Sequence, residues 1–436
     1  MQVMEPHKRL TEICEVLSSD SLDFWVEGER GYSVEKRDGK PFLNEKWLEE
    51  GWSLRYFSKD GRFAIAYGTG LEKEKVLNAS LIAKELSKEG ISGVLPELPE
   101  TYPKVSKPEI EDISSEKLLK LVEELEEFTF SQGIDRLERI SLKTGIEWVF
   151  LSFRDNRLYW EIPFVSFLVS VIVKGEKKEA SSYEWFHGTE FSLKEIKDRI
   201  KSACIKAKAL CKAKKGGTKR VPLLFPPFFA VDLLEVLKFS FLGSEVVKGR
   251  SRLKNKVGKK VFSEAVSIVD DGTAERLLET RPFDDEGMPQ QKTLLVEKGT
   301  LKSFLWDSFW GKAAGELSTG NARRPSLESP PKVSATNFYL LPGTKSPEEI
   351  LRSFPEVVEV IEILGAHTAD PISGKFSVGI SGILYKNGEP VEVLSEMAIS
   401  EDIFELFSKV VEVGNDLKFY GSTGSPSLLV ERVDLG

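Results

Sequence analysis

The chain has 436 residues, a formal net charge of −8, and 41% hydrophobic and 30% charged residues. That length exceeds one ordinary core, so two or three domains are expected, and the composition is that of a globular protein rather than a disordered or fibrous one. The negative charge argues against a broad nucleic-acid footprint, which needs a basic surface to displace counterions, and three cysteines with no CxxC pair (Cys14, Cys204, Cys211) argue against a disulfide framework or a structural zinc site.

The N-terminus MQVMEPHKRLTEICEVL lacks the features of a signal peptide. The longest apolar run, Ile162 to Val173, is about half of what a membrane helix needs and is rich in β-branched and aromatic residues, so it reads as buried strand. A cytoplasmic location is expected, with no membrane partner. Residues 7–18 read as a short helix. The Asp38-Gly39 and Asp60-Gly61 pairs mark hairpins between alternating runs. From Leu71 to Glu89 the pattern is helical, with Val76, Leu77, Leu81, Ile82 and Leu86 as its apolar face. Four prolines between residues 91 and 112 mark a linker.

A helix is predicted over Ser115–Phe128, then strands from about Arg139 to Trp185, then a long helix over Ser192–Lys215. That helix ends in a crowd of lysines (Lys206, Lys208, Lys212, Lys214, Lys215). They read either as a solvated face suited to the negative helix end or as a site for an acidic partner. The strand Val221–Phe225 and Pro226-Pro227 then introduce a helix from about Val231. Hairpins are predicted at Lys298-Gly299 and Asn387-Gly388. Ser346-Pro347-Glu348-Glu349 is a capping box that opens a helix through about Ile363. A last helix over Asp402–Val411 and a strand over Pro426–Val430 close the chain. The expected fold is α+β: an N-terminal α/β domain over 1–105, a middle helix–sheet domain over 106–220, and a β-rich, mostly antiparallel C-terminal domain over 221–436.

The helix after Pro227, then Gly243, Gly249-Arg250-Ser251 and Asp270-Asp271-Gly272-Thr273, resembles the TldD/PmbA family, also called the modulator of DNA gyrase family. Phe283-Asp284-Asp285-Glu286-Gly287, Ser318-Thr319-Gly320-Asn321-Ala322, Ala335-Thr336-Asn337-Phe338-Tyr339 and Gly374-Lys375-Phe376-Ser377 extend the likeness in the family's order. In the peptidase branch the resemblance implies His-Glu-x-x-x-His on the helix, two zinc ligands and a general base, with a further cysteine ligand near the C-terminus. This chain has Leu234-Glu235-x-x-x-Phe239 there, and no cysteine between Phe419 and Gly424. The departure implies the PmbA branch, also called TldE: no catalytic residue and no metal in this chain, and zinc in a TldD-like partner. Unfolded peptides would be the substrate, in a heterodimer, or in a homodimer when the chain is alone. A non-enzymatic peptide-binding or regulatory protein is the alternative.

Other chemistry is sparse. His7, His187 and His367 are scattered, and Glu235 alone cannot attack an amide without a metal to polarise water. The acidic residues Asp270, Asp271, Asp285 and Glu286, with Asn321, read either as turn residues at strand ends or as the lining of a peptide channel.

Overall fold

Two-residue turns build the first sheet. In this computed structural model, which describes residues 6–17, 19–109, 113–176, 178–365 and 368–436, β1 (Leu22–Arg37) and β2 (Lys40–Phe57) meet at Asp38-Gly39. Both turn residues have positive φ, 48° and 72°, the twist that suits paired strands. With β3 (Arg62–Thr69), β4 (Ile91–Ser92), β5 (Arg136–Phe153), β6 (Asn156–Lys174) and β7 (Glu179–Gly188) they form a seven-stranded sheet, ordered β4-β3-β2-β1-β5-β6-β7. β1 pairs with β5 along its length, so the boundary expected at residue 105 falls between strands of one sheet. The proline-rich stretch crosses that sheet as a strap. Tyr102 donates to the Gly287 carbonyl at 2.9 Å, and its ring meets Phe283 edge-on.

Alternation gives the sheet two different faces. One carries Phe24, Val26, Trp52, Leu54, Trp148 and Phe150 against α1 (Pro6–Val16) and α2 (Lys73–Leu86). Farther along, the same face holds α3 (Ser115–Ser131) and α4 (Leu193–Cys211) through Leu118, Val122, Ile196 and Ile200. α2 differs from its expected face. Val76, Ser80 and Ala83 are buried, whereas Leu81, Ile82 and Leu86 are 55%, 59% and 58% exposed, because the helix turns its small residues toward the sheet. The opposite face, with Trp25, Leu151 and Trp160, meets Phe283 of the C-terminal half.

The C-terminal half contains a second seven-stranded sheet. Its order is β19 (Val410–Val413), β22 (Leu428–Leu435), β9 (Lys219–Phe225), β16 (Glu356–Leu364), β17 (Lys375–Lys386), β18 (Glu389–Asp402) and β8 (Lys214–Lys215). A six-stranded sheet stands beside it: β12 (Thr300–Leu301), β11 (Lys292–Glu297), β10 (Ile268–Asp271), β15 (Phe338–Leu340), β21 (Thr423–Ser425) and β20 (Lys418–Tyr420). β13 (Ala322–Arg323) and β14 (Lys332–Val333) pair alone. Most pairings are antiparallel, as the sequence led us to expect. The capping box at Ser346 forms with both bonds, but its helix, α8 (Pro347–Arg352), is short and residues 356–364 are β16. Val357 and Val358 face different buried clusters. A strand buried on both faces loses polar–apolar alternation, and its spaced glutamates imitate a helix. α9 (Ile403–Ser408) is likewise shorter than expected and gives way to β19.

The lysines ending α4 divide. Lys206 is buried, with Nζ 2.8 Å from Glu184, and Lys208 donates to the Gln132 carbonyl. Lys214 and Lys215 are exposed beside Glu392 and Glu396. Among the described residues no helix is long and apolar enough to cross a membrane.

Candidate functional site

Strand β9 runs into Pro226, and α5 (Pro227–Lys238) begins with proline at its first position, where no backbone N–H is needed. Leu234 and Leu237 are both 0% exposed in the main core of the C-terminal half. Phe239 opens a 3-10 turn (Phe239–Phe241) and is half-buried, with the Arg250 guanidinium 6.0 Å from its ring centre. Glu235 is exposed. It accepts from Lys238 Nζ at 2.7 Å and from Thr423 Oγ1, while Lys238 Nζ also reaches Thr423 Oγ1 at 3.2 Å. The carboxylate is therefore tied to an ammonium and a hydroxyl.

Zinc does not fit this helix. Leu234 and Phe239 have no lone pair to donate, one lies in the core and the other is half-buried, and the group beside Glu235 is a cation. Among the described residues no three His, Cys, Asp or Glu side chains are grouped for a metal ion. His187 lies on β7 with its ring 5.6 Å from that of Phe164; His367 is outside the described residues, as is the side chain of His7. Cys204 is buried on α4, which pushes its thiol up to about 11.

The segment 419–424 lies against α5 at two places: Thr423 meets Glu235 near the end of the helix, and the Tyr420 ring meets Phe228 in its first turn, with Trp185 edge-on beside it and its hydroxyl donating to Glu184 at 3.3 Å.

The acidic candidates come together around the turns of the C-terminal half, and they face inward. Asp270 is 1% exposed and accepts from Asn321 Nδ2 at 2.7 Å, Thr336 N at 2.7 Å and Thr336 Oγ1 at 2.8 Å. Burial pushes its carboxyl up against the pull of those bonds. Asn321 also donates to the Ser334 carbonyl and accepts from Thr319 Oγ1. Asp271 is buried and accepts from the Thr273 N–H and hydroxyl, which makes Asp-Asp-Gly-Thr a self-bonded turn. For Asp270, Asp271, Asp285 and Asn321 the arrangement is that of a fastened interior. Glu286, by contrast, lines a cavity.

Asp270→Ala would strand three buried donors, and each stranded group typically costs ~1–3 kcal/mol. We expect a large drop in urea midpoint for Asp270→Ala and a smaller one for Asp270→Asn, which keeps one acceptor. Equal stability of Asp270→Ala and the parent would contradict this placement.

Asp285 and Glu286 belong to an ionic network that the sequence did not reveal. Asp23 on β1 accepts from Arg55 Nε at 2.7 Å and Arg324 Nη2 at 3.2 Å. The Arg324 N–H donates to Asp285 at 2.6 Å, Arg281 donates to Asp285, and Arg55 Nη1 stands 3.7 Å from Glu286. The Arg281 and Arg324 guanidiniums each lie 5.6 Å from the Trp25 ring. Asp284 accepts three backbone N–H groups and is raised to about 7, first by burial and then by Glu286. These groups join the N-terminal sheet to the C-terminal half. The signal available in sequence was the density of charge in Arg281 to Glu286 and the Arg323-Arg324 pair; the partners Asp23 and Arg55 lie more than 200 residues away in sequence.

A groove of about 700 Å³ opens on the same sheet face beside Leu327. Register places Glu49, Glu29 and Glu147 abreast on β2, β1 and β5, an arrangement in which like charges repel. Lys143 Nζ and Trp47 Nε1 hold Glu29 at 2.7 and 2.9 Å. Glu147, although exposed to solvent, is raised to about 7, first by desolvation against the groove walls and then by Glu29.

Residues 218–436 match the family described as the PmbA/TldA metallopeptidase C-terminal domain. A Methanocaldococcus jannaschii protein, MJ0231, is 37% identical over 209 residues, 48% of this chain, so the match spans about half (49%) of that relative's length. The metalloprotease TldD homolog of Buchnera aphidicola (from Acyrthosiphon pisum) is 30% identical over 325 residues, 68% of this chain and 67% of its own. TldE from Thermococcus kodakarensis shares the fold, with a TM-score of 0.88 over 99% of each chain at 23% identity. A helix after a Pro-Pro step, an Asp-Asp-Gly-Thr turn fastened to Asn321 and Thr336, and these matches lead to one assignment: the chain belongs to the TldD/PmbA family.

Proposed function

We propose that this chain is the metal-free subunit of a two-protein cytoplasmic peptidase, in which a TldD-like homologue carries the zinc and unfolded peptides are the substrate. The observation that carries the reading is that Leu234, which the resemblance puts at the position of a metal ligand, is 0% exposed in a chain whose residues 218–436 match the family's C-terminal domain. The lysine and threonine beside Glu235 support it further, because they occupy the carboxylate that a metal-dependent branch would leave for water. Three free cysteines, two of them buried, suit a reducing compartment.

When the chain is co-expressed with a TldD-like homologue, the two should co-elute as a complex, and cleavage of an unfolded peptide should require both. Failure to co-elute, with partner activity indifferent to this chain, would remove the subunit reading. Peptide binding by the chain without any partner would then favour the non-enzymatic alternative.

A further inference from the structure

A second cavity, of about 420 Å³, lies between the edge of the N-terminal sheet and two short helices, α6 (Gly243–Val247) and α7 (Ser308–Ala314). That volume is within the range of small-ligand pockets, about 300–1,000 Å³. Its walls are mainly apolar, with Phe63 on β3, Leu242 before α6, Phe309 and Trp310 on α7, and Val333 on β14, and the exposed Lys248 and Lys332 also line it. Its polar floor is Asp307, Glu286 and Arg55, which are 2%, 4% and 3% exposed.

Charge on this floor is unevenly matched. Arg55 is engaged by Asp23 through Nε at 2.7 Å, and its Nη1 stands 3.7 Å from Glu286, beyond hydrogen-bond reach. Glu245, also on the cavity wall, has its own cations in Arg250 at 2.5 Å and Lys248 at 3.6 Å. Asp307 has none. Its Oδ1 accepts from the Trp310 N–H at 2.6 Å, while Oδ2 has no hydrogen-bond partner among the described residues. Glu286 also accepts from the Ser308 N–H at 3.0 Å, so backbone N–H groups of α7 hold both buried carboxylates, while among the described residues their one ion pair is the long one from Glu286 to Arg55; Asp307 is raised to about 7, first by burial and then by Glu286. A buried carboxylate left this way is costly unless a cation joins it. Among the described residues no three His, Cys, Asp or Glu side chains are grouped for a metal ion, whereas an ammonium needs only one or two acceptors.

We infer that this cavity seats the N-terminal residue of a peptide, its ammonium between Asp307 and Glu286 and its apolar side chain against Trp310, Phe309 and Leu242. The inference deepens the proposed function, resting on its peptide substrate, and it gives that substrate a recognised end: a free amine beside an aliphatic or aromatic side chain. The nearly buried floor favours a terminal group, because an internal residue would have to bring two chain segments past the walls.

The test uses the full chain and two probes, Leu-Gly-Gly amide and its N-acetyl form, with binding measured by calorimetry. The free-amine peptide should bind at least tenfold more tightly than the acetylated one. Asp307→Asn should abolish that preference without unfolding the chain, since asparagine also caps a helix; unfolding by urea checks this. Trp310→Ala should weaken binding of the leucine peptide and leave a Gly-Gly-Gly amide unchanged. Should Asp307→Asn prove unstable, Glu286→Gln provides the same readout from the other carboxylate. Equal affinity for the free and acetylated probes, an undiminished preference in both carboxylate variants, or no binding at millimolar peptide would overturn the inference. Repeating the measurement with the TldD-like homologue separates the two proposals. Amine preference without co-elution defeats the subunit reading alone, and partner-dependent cleavage without amine preference defeats the pocket alone.

Discussion

Arg324→Ala should be among the most damaging single substitutions in the chain, lowering the unfolding free energy by about 3–5 kcal/mol, the usual cost of breaking a buried ion pair from one side. Its side chain is 0% exposed and reaches Asp23 at 3.2 Å and Ser53 Oγ at 3.3 Å, both on the other half of the molecule. Removing it leaves Asp23 with Arg55 alone and takes a cation from the neighbourhood of Asp285, which holds the Arg324 backbone N–H. Urea unfolding of Arg324→Ala, Asp23→Ala and the double variant checks this as a cycle. A coupling of about 0.5–3 kcal/mol is expected between side chains in direct contact. Additive effects, or a change below 1 kcal/mol for Arg324→Ala, would mean that the two halves are held by the strap and the apolar contacts of Trp25 and Phe283 instead. The pair is informative because 301 residues separate its members in sequence.

That separation also explains what the sequence could and could not disclose. Features set by a few adjacent residues were legible: proline opening α5, the Ser346 box opening α8, and the glycine turns at residues 39, 299 and 388, each with the positive φ that the turn demands. Features set by what packs against a segment were less so. β16 alternates poorly because both of its faces are buried, and α2 exposes Leu81 and Ile82 because Ser80 and Ala83 let it approach the sheet. Lys206 reads as one of a solvated crowd, yet it is buried on Glu184, a residue from β7.

The site divides in the same way. That Leu234 and Phe239 stand where the resemblance puts metal ligands is a matter of residue identity, and it stands out once the family's order of motifs is seen. What fills the space around them is not local. Thr423 reaches Glu235 from 188 residues away, and Asp285 holds Arg281 and the Arg324 N–H while the Arg324 guanidinium crosses to Asp23 on the other half. The three abreast glutamates are individually unremarkable surface residues, and only the strand register assembles them.

Rebuilding the metal motif with Leu234→His and Phe239→His should fail. Leu234 is 0% exposed, so exchanging it for an imidazole costs on the order of 2–5 kcal/mol by analogy with large-to-small core changes, and unpaired ring nitrogens add to that. Phe239 is half-buried in the 3-10 turn, so its replacement should cost less, and the two new rings would start from different environments, one in the core and one half-buried. Two imidazoles also fall short of the three protein ligands that a catalytic zinc requires. The residue to supply the third is Thr423 rather than Tyr420: Thr423 touches Glu235, whereas Tyr420 is held among Trp185, Phe228 and Arg199. Thr423→Cys brings a thiolate to the helix and removes the hydroxyl that now occupies Glu235; Lys238→Ala would free the same carboxylate of its ammonium. Metal analysis of the double variant should find far less than one zinc per chain and no peptidase activity, with zinc retention rising only when Thr423→Cys is added. One zinc per chain in the double variant, or retention rising with cysteine at 420 but not at 423, would show that this helix and segment 419–424 meet in a different register from the one that Thr423 and Glu235 define.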